Sequence, residues 1–446
     1  MKTDVLDAQS ISLPDNLELN DEMARCIDLV KAKQNVFITG NAGTGKSTLL
    51  TYLRQNVLPE NTVVLAPTGV AAINVRGFTI HRFFSFGINV TFEHVNGPDY
   101  YARNKAIMRS LQTLVIDEIS MVRADMLDYV DQALRKYGPK KGKPFGGVQI
   151  ILIGDLAQLP PIVRGQDERD FIASHYQSEF FFDSHVMQEI DYETIHLKKI
   201  YRQSDQDFIS TLNAVRINET EDHHMDFLKD LVKPDFEPKK GEFFITLTTT
   251  NKKADDINNL KLNALKAPLH TWQARVYGQV SPKDFPTADI LDFKKGSQIM
   301  MVANDGEQRW ANGTLAVIED IFLENGKAGP YVKVKVVGNP DIYDVHLHEW
   351  EVLRPAFREG KLVYDVAGTF TQFPFTLAWA VTIHKSQGKT FDRVIIDLSR
   401  KAFSPGQLYV ALSRCSTPQG LVLHHEITKD QIMVHDRVAE FTKEIN

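Results

Sequence analysis

The sequence predicts an α/β protein made of two lobes, each built on a parallel β-sheet. Runs that are apolar throughout, rather than alternating, are typical of strands buried on both faces of such a sheet. Four of these runs lie in the first half of the chain, at 36–38, 63–66, 114–116 and 148–153. A second series, at 243–247, 299–302, 394–396 and 421–423, predicts the second lobe. Helical periodicity between the runs indicates doubly wound lobes.

The order of these elements gives the expected domain boundaries. Residues 1–18 mix Asp, Ser, Pro and Asn without periodicity, which predicts a flexible N-terminal arm. The first lobe is expected at 19–190, with a loop-rich insertion at about 84–106 where Gly, Pro and Asn are frequent. The second lobe is expected at 191–446. Its alternating valines predict a small β-barrel insertion at about 312–366, and its helical C-terminal segment, 431–445, is expected to pack against the same lobe.

Composition narrows the class of protein. The chain has 446 residues, more than one hydrophobic core usually holds, and its 43% hydrophobic and 24% charged content is that of an ordinary globular protein. A net charge of −6 argues against an overall basic protein but not against a local basic groove for nucleic acid. Two cysteines are too few for a disulfide framework or a zinc module. Without a signal peptide or a long apolar span, a cytoplasmic location is expected.

A phosphate-binding loop follows the first apolar run. Residues 40–47 read GNAGTGKS and fit the pattern G-x-x-x-x-G-K-[ST] between a predicted strand and a predicted helix. In such a loop the backbone N–H groups and the helix N-terminus hold a polyphosphate, Lys46 reaches its outer phosphates, and the Ser47 hydroxyl binds magnesium. A glycine-rich turn without this role is the alternative, and the preceding strand disfavours it. The sequence therefore predicts a nucleoside triphosphatase.

Two carboxylates follow the third apolar run. Asp117 is placed to hold magnesium through water, and Glu118 to orient and deprotonate the attacking water. Two surface acids at a strand end are the alternative, which Lys46 in the same lobe makes less favoured. The fourth run leads to Gln158, which could reach the γ-phosphate and report its loss, although by itself it would be only a polar loop residue.

The end of the second run carries small polar residues and aromatic ones follow. Thr68 and Gly69 can bind phosphates through their backbone, and the aromatic side chains near Phe84 can stack on bases. Plain core packing of these aromatic residues is an equally favoured interpretation.

Two motifs lie near the C-terminus, TIHKSQG at 382–388 and QLYVALSR at 407–414. The tripeptide 388–390 mimics the tail of a phosphate-binding loop, but Ile383 stands where the first glycine should be, so only one nucleotide site is expected. Arg414 is either a charge on a helix surface or a finger on the transferring phosphate. Its sequence spacing does not choose between them.

The order of all these motifs resembles that of superfamily-one DNA helicases, specifically the Pif (petite integration frequency) family and its RecD-like relatives. The resemblance extends from about Leu19 to Leu423. The signatures that carry it are GNAGTGKST, APTGVAA, TIHRFF, VIDEISMV, GDLAQLPP, QFPFTLAWAVTIHKSQGKTF and GQLYVALSRC. It implies two RecA-like motor lobes, a wedge insertion in the first, a Src-homology-type barrel in the second, and ATP-driven 5′ to 3′ translocation along single-stranded DNA.

The resemblance also implies roles for individual residues. The catalytic group comprises Lys46, Asp117, Glu118, Gln158, Arg202 and Arg414, the two arginines being presented by the second lobe. The nucleotide is contacted by Gly40, Ala42, Gly43, Thr44, Gly45, Lys46, Ser47, Thr48 and Gly388. Magnesium is bound by Ser47 and Asp117. DNA is contacted by Thr68, Gly69, His81, Phe84, Asn251, Thr382, His384, Lys385 and Ser386.

One position departs from the family pattern. The family has a glutamine that reads adenine in the helix before the phosphate-binding loop, and here Ala24 is assigned to that position. We therefore expect a weaker preference for ATP over GTP than the family norm, unless Asn20 or a backbone group substitutes.

The resulting functional hypothesis is an ATP-dependent DNA helicase with ATP and magnesium as cofactors. Its partners would be single-stranded DNA and single/double-strand junctions, with G-quadruplexes and RNA–DNA hybrids as further substrates. Roles in repair, recombination or telomere maintenance are implied, and a monomer, nucleoid-associated if bacterial, is expected. A translocase that does not separate strands is the first alternative. The second is a nucleotide-gated DNA clamp, which the complete set of catalytic residues disfavours.

Overall fold

A computed structural model of the chain describes residues 19–87, 90–239, 241–282, 285–324, 329–358, 361–398 and 404–445. The arm expected at 1–18 lies outside these ranges. The chain divides into two compact units. The first comprises Met1–Arg202, Leu353–Asp365 and His435–Asn446, and the second comprises Gln203–Val352 and Val366–Val434. Within the described ranges, no helix has the length and apolar character needed to cross a membrane.

The first unit is built on a six-stranded sheet in which all neighbouring strands are parallel. Its strands are β1 (Val36–Gly40), β2 (Thr62–Ala66), β3 (Phe78–Thr79), β4 (Thr113–Ile116), β5 (Gln149–Ile153) and β6 (Glu193–Leu197), in the order β3-β2-β4-β5-β1-β6. Successive residues point to opposite faces. Phe37 accordingly lies in one core cluster, and Val36 and Ile38 lie in another. Both faces are therefore covered, as the continuous apolar runs predict.

Ten helices of the described chain belong to this unit. They are α1 (Asp21–Lys31), α2 (Lys46–Asn56), α3 (Gly69–Asn74), α4 (Ile80–Phe84), α5 (Phe92–Asn96), α6 (Lys105–Ser110), α7 (Ala124–Tyr137), α8 (Gly165–His175), α9 (His185–Glu189) and, from the C-terminus, α15 (Asp436–Ile445). The Asn20 side chain accepts a hydrogen bond from the Met23 N–H, so the predicted cap of α1 is present.

The structure differs from the expected lobe boundaries at two places. Strand β6 lies beyond residue 190 but pairs with β1, so it completes the first sheet. Helix α15 packs on the first unit rather than the second, because Phe441 stacks on Phe182 with ring centroids 4.0 Å apart and Arg437 pairs with Asp183 at 3.0 Å. The amphipathic pattern of α15 predicts a helix with one buried face, but it does not specify which core receives that face.

The insertion expected at about 84–106 packs closely on the first unit. The Tyr100 hydroxyl donates to the carbonyl of Phe84 at 2.7 Å, and the Asn104 amide donates to the carbonyl of Phe83 at 2.7 Å. Tyr101, in contrast, is 61% exposed and lies under the Lys105 amino group. The described residues of this insertion are therefore fixed on the first unit and present one aromatic side chain on its surface.

The second unit contains a four-stranded parallel sheet. Its strands are β7 (Ile245–Thr248), β18 (Ala380–Thr382), β19 (Val394–Asp397) and β20 (Leu421–Leu423), in the order β18-β7-β19-β20. The helices of this unit are α10 (Gln206–Ile217), α11 (Asp222–Asp230), α12 (Asn251–Ala264), α13 (Ile383–Ser386) and α14 (Gln407–Leu412). A second parallel α/β lobe was expected, and this sheet provides it.

Three antiparallel sheets form the insertion, whose strands lie in the second unit except at Leu353–Asp365, which belongs to the first unit. Their strands are β8 (His270–Gln273), β9 (Arg275–Gly278), β10 (Ile290–Phe293), β11 (Gln298–Met301), β12 (Leu315–Phe322), β13 (Tyr331–Val336), β14 (Ile342–His346), β15 (His348–Arg358), β16 (Lys361–Gln372) and β17 (Phe375–Leu377). The largest has the order β14-β13-β12-β11-β17. The insertion thus extends well beyond the expected 312–366. The apolar run at 299–302 belongs to it, because β11 is a central strand buried throughout.

Candidate nucleotide and DNA sites

The phosphate-binding loop joins β1 to α2, as its sequence predicts. Gly40 and Gly45 both have positive φ, +155° and +88°, and a Cβ atom on Gly40 would lie 2.6 Å from the carbonyl oxygen of Leu197. Only glycine fits the first position, because the backbone of β6 passes directly beside it. The Lys46 amino group donates to the carbonyls of Gly40 and Asn41 at 2.8 and 2.9 Å, which holds it over the loop. Ser47 is exposed on the first turn of α2.

The remaining loop residues are held by the loop itself. The Thr44 hydroxyl donates to the carbonyl of Asn41 at 2.9 Å and is buried, as is Ala42. Gly43 contributes a carbonyl that accepts the Tyr201 N–H at 2.9 Å. Hydrogen bonds from Thr44, Lys46 and Tyr201 to carbonyls of the loop therefore stabilise its shape.

Asp117 and Glu118 follow β4 at the same edge of the sheet as Lys46. Burial and the neighbouring Glu118 carboxylate raise the pKa of Asp117, whereas the positive charge of Lys46 opposes this change. Glu118 has a left-handed backbone, with φ of 50° and ψ of 43°. Such strained conformations of non-glycine residues are concentrated at functional sites. The structure therefore brings together the lysine and both carboxylates that the sequence singles out.

Gln158 lies on the loop that follows β5 and is held there by Asp155. Its side-chain amide donates to the Asp155 carboxylate at 3.2 Å, and its N–H donates to the Asp155 carbonyl at 3.0 Å. A Cβ atom on Gly154 would lie 3.2 Å from the Ser120 N–H nitrogen, so this loop passes directly against the loop that carries Glu118. Gln158 is thus positioned by the buried Asp155 carboxylate, on a loop that passes against the loop of the candidate base.

A magnesium ion suits the residues at this edge. The raised pKa of Asp117 beside the Glu118 carboxylate favours a nearby cation, because a positive charge relieves the repulsion between the two groups. Carboxylate and hydroxyl oxygens are the ligands that Mg²⁺ prefers. Asp117 and Ser47 provide one of each.

The residue of α1 that faces the phosphate-binding loop is Met23, not Ala24. Met23 is 2% exposed, and its Cε atom lies 3.1 Å from the position of a Cβ on Gly45. Ala24 is exposed on the other side of the helix. The assignment of Ala24 is therefore wrong by one residue. The expectation it supported remains, because a methionine cannot form the hydrogen bonds of a glutamine amide.

Tyr201 is a neighbour of the loop that sequence reasoning missed. Its ring lies 3.8 Å from the position of a Cβ on Gly45, and half of the side chain is exposed. Its place directly before Arg202 was the available signal. Arg202 itself is half-buried and is the last residue of the first unit.

The candidate DNA residues of the first unit lie at the carboxyl end of β2 and on α4, and one of them is buried. The Thr68 hydroxyl caps α3 by accepting the Ala71 N–H at 3.2 Å, and Gly69 begins that helix. His81 is half-buried on α4. Phe84 is fully buried, stacked on Phe86 with centroids 5.3 Å apart. The prediction that Phe84 contacts DNA is therefore wrong, because a side chain without exposed surface cannot stack on a base.

The candidate DNA residues of the second unit divide in the same way. His384 is half-buried, Lys385 is exposed, and Asn251 is exposed at the start of α12. Thr382 is 4% exposed and caps α13 by accepting the Lys385 N–H at 3.3 Å, so its side chain positions the segment. The Ser386 hydroxyl is fully buried and donates to the Ile383 carbonyl at 2.7 Å. Its prediction as a direct DNA contact is wrong for this side chain.

Burial also lowers the pKa of His384, which leaves its ring uncharged at neutral pH. Lys385 therefore carries the positive charge of this segment. Gly388, which the family resemblance assigns to the nucleotide, is exposed with φ of +76°, and a Cβ atom built on it would meet no described atom within 4 Å.

Arg414 is enclosed within the second unit. It is 1% exposed, and each of its guanidinium nitrogens donates a hydrogen bond to a partner in the same unit. The acceptors are the Val410 carbonyl at 2.9 Å, the Lys389 carbonyl at 3.1 Å and the Ser413 hydroxyl at 2.8 Å. Gln203 donates to the carbonyls of Ser413 and Cys415 on either side of it. The interpretation as a surface charge is therefore excluded, and its action on a phosphate remains a prediction.

Comparison with known proteins places this geometry in context. A family model described as PIF1-like helicase matches residues 18–226. The ATP-dependent DNA helicase Pif1 of Bdellovibrio bacteriovorus is 31% identical over 438 residues, covering 96% of this chain and 92% of that protein. The human ATP-dependent DNA helicase PIF1 is 34% identical over 434 residues, covering 93% of this chain and 62% of that protein. The chain thus spans less than two thirds of the human relative.

Solved structures agree with the family match. Pif1 from Bacteroides sp. in complex with ADP-AlF4 superimposes with a TM-score of 0.87 at 33% identity, covering 96% of this chain and 97% of that one. Bacteroides Pif1 bound to single-stranded DNA superimposes with a TM-score of 0.69 at 32% identity, covering 96% of this chain and 97% of that one. The expected fold of two RecA-like lobes with insertions is confirmed by these matches.

Proposed function

The chain belongs to the PIF1-like helicase family, and from that premise we propose that it is an ATP-dependent DNA helicase. The observation that carries the proposal is the meeting of Lys46, Asp117 and Glu118 at one edge of the first parallel sheet, with Gln158 beside them. Nearly complete coverage of a bacterial relative of similar length supports the assignment. The human relative is longer, and the match covers 62% of it.

ATP hydrolysis is the chemical step of the proposed cycle. Lys46 and the loop backbone bind and orient the phosphates, and Ser47 and Asp117 hold the metal, which when bound neutralises charge on the phosphates. The Glu118 carboxylate accepts the proton of the attacking water, and Gln158 senses the γ-phosphate. Arg202 and Arg414 stabilise the charge that develops on the transferred group. Cleft closure on the triphosphate and opening after its loss would drive movement.

Single-stranded DNA is the proposed track. Short polar groups on helix N-termini, such as Thr68, Gly69 and Asn251, suit phosphate groups, and Lys385 adds one charge. Such contacts read the backbone and not the bases, so movement is independent of sequence. We propose the 5′ to 3′ direction from the family resemblance. A monomeric motor with magnesium as cofactor completes the proposal.

Strand separation is assigned to the insertion at about 84–106. Tyr101 supplies an exposed ring, and the hydrogen bonds of Tyr100 and Asn104 fix the insertion on the first unit. A rigid aromatic tip can stack on the first base pair of a duplex as the strands move past it. Forks, RNA–DNA hybrids and G-quadruplexes are proposed substrates of this element.

The experiment that tests the proposal is steady-state ATP hydrolysis with and without single-stranded DNA. The unmodified chain is expected to show DNA-stimulated turnover. Glu118→Gln is expected to keep ATP binding and to lose turnover by about 10²-fold or more, because the base is removed while its shape is kept. Lys46→Ala should weaken nucleotide binding as well. Slow ATP hydrolysis whose rate does not change when DNA is added would instead indicate a nucleotide-gated clamp and would refute the helicase assignment.

A further inference from the structure

Lys389 is a buried lysine to which the proposed cycle gives no role. It is 9% exposed, and its amino group donates to the side-chain oxygen of Asn312 at 2.6 Å. Asn312 belongs to the antiparallel insertion, on the loop between β11 and β12. The stem of Lys389 lies along the same loop, because its Cβ, Cγ and Cδ atoms are 3.6 to 3.7 Å from the position of a Cβ on Gly313. The lysine therefore joins the parallel lobe to its insertion.

The insertion loop that receives Lys389 is internally fixed. The Asp305 carboxylate accepts two hydrogen bonds from the Arg309 guanidinium, at 2.7 and 2.8 Å, as well as the Arg309 N–H at 3.1 Å. The Asn312 N–H donates to the side chain of Asn304 at 2.7 Å, and the Gly313 N–H donates to the Met301 carbonyl at 2.8 Å. The position of Asn312 is thus fixed relative to strand β11 of the insertion.

The backbone of Lys389 points toward functional residues of the lobe. Its carbonyl accepts one of the three hydrogen bonds of Arg414, at 3.1 Å. Its N–H donates to the Ser386 carbonyl at 3.0 Å, at the end of the segment that carries Lys385. One residue therefore contacts the insertion through its side chain, and Arg414 and the DNA-facing segment through its backbone.

An amine at this place is unfavourable unless it has a specific interaction. Burial lowers the pKa of Lys389 to about 8, and among the described residues no charged group offsets that effect. An apolar side chain of similar length, such as methionine, would avoid the desolvation of the amine. Among the described residues, the charged groups on the surrounding segments include the Arg414 guanidinium, bonded to the Lys389 carbonyl, and Lys385. The insertion loop adds Asp305, Arg309 and Glu307, which pair with one another. The imidazole of His384 titrates below its usual range.

We propose that Lys389 is a positioning residue through which the insertion holds Arg414 and the DNA-facing segment in register, so that bound DNA accelerates nucleotide turnover. The proposal rests on the proposed function, since it concerns the coupling of DNA binding to hydrolysis. The Lys389 ammonium fixes the end of the 382–389 segment against Asn312, and Arg414 is bonded to the same backbone.

The proposal carries a pH signature. A charge-assisted hydrogen bond is about twice as strong as a neutral one, so the joint weakens when Lys389 loses its proton. Since the pKa of Lys389 is about 8, the joint is at full strength below pH 7 and weakens as the pH rises through 8. DNA stimulation of the ATPase is expected to fall over the same interval.

The experiment measures ATP turnover at saturating and at zero single-stranded DNA between pH 6.5 and 9.5, about three units around the pKa of a buried amine, for the unmodified chain and three variants. Lys389→Met removes the donor and keeps the length. Asn312→Asp places a carboxylate against the amine, which raises its pKa and keeps the joint. Lys294→Met is the matched control, because that amino group also donates to a neutral oxygen, the Leu265 carbonyl at 2.9 Å, without any bond to Arg414. DNA affinity is measured in parallel by fluorescence anisotropy.

Lys389→Met is expected to lower turnover at saturating DNA about tenfold at pH 7, with DNA affinity changed less than about threefold and no fall above pH 8. Asn312→Asp should keep stimulation and move its fall to higher pH, and Lys294→Met should match the unmodified chain. If DNA stimulates the ATPase of Lys389→Met to within about twofold of the unmodified chain, the proposal is overturned. The same pH profile in all variants would also overturn it. Absence of DNA stimulation in both the unmodified chain and Lys294→Met would refute the proposed function itself.

Discussion

Replacement of Arg414 by alanine is expected to damage both the stability and the turnover of the chain. The guanidinium is buried and donates to three acceptors, the Val410 carbonyl, the Lys389 carbonyl and the Ser413 hydroxyl. A buried acceptor left without its donor costs about 1 to 3 kcal/mol. Removal of the buried guanidinium charge offsets part of the combined cost of the three acceptors. We therefore expect the free energy of unfolding to fall by about 3 kcal/mol. For a unit of this size, that lowers the melting temperature by about 6 to 12 °C.

The assay combines a thermal melt with nucleotide binding and turnover. Below its melting temperature, Arg414→Ala should still bind a fluorescent ATP analogue through the first unit, while turnover falls on the order of 10³-fold. Arg202→Ala is the matched comparison, because that side chain is only half-buried. It should lose turnover with a melting shift of no more than about 2 °C. An unchanged melting temperature in Arg414→Ala would contradict the three hydrogen bonds, and near-normal turnover would remove its assignment to the phosphate.

Three further outcomes are expected. Met23→Gln should raise the ratio of kcat/KM for ATP over GTP by about three- to tenfold, because an amide can hydrogen-bond adenine, and an unchanged ratio would show that this position does not face the base. Lys385→Ala should weaken DNA stimulation and reduce the salt dependence of DNA binding by about one charge, whereas Ser386→Ala, with its hydroxyl turned inward, should not; equal effects would contradict the assignment. Tyr101→Ala should lower duplex unwinding several-fold with DNA-stimulated ATPase kept, and parallel loss of both would assign Tyr101 to the motor instead.

The parallel architecture and the nucleotide site could be predicted from local patterns. Strands buried on both faces are apolar throughout, and a phosphate-binding loop needs its glycines and lysine at fixed spacing. Strand β1 and the closeness of Lys46 to the carboxylates after β4 could therefore be predicted, and the action of these residues on a nucleotide stays a prediction. These signals are local because the chemistry is carried by a few residues around each strand end.

Features that depend on tertiary packing were harder to predict. The apolar face of α15 is visible in the sequence, but which unit receives it depends on Phe182. Phe84 and Ser386 lie inside DNA-associated motifs, yet both are buried, because a motif preserves the shape of a segment as well as its contacts. The shift from Ala24 to Met23 is a single residue, which on a helix moves a side chain by about 100°. Only coordinates distinguish the two.

Unwinding of two matched duplexes, one with a 5′ single-stranded tail and one with a 3′ tail, tests the central claim most directly. The control is Lys46→Ala, which should unwind neither. ATP-dependent unwinding of only the 5′-tailed duplex is the expected result. It requires an active motor, movement in the 5′ to 3′ direction and strand separation by the insertion at 84–106. Unwinding of neither duplex, with DNA-stimulated ATPase intact, would indicate a translocase that does not separate strands. Unwinding from the 3′ tail would contradict the proposed direction.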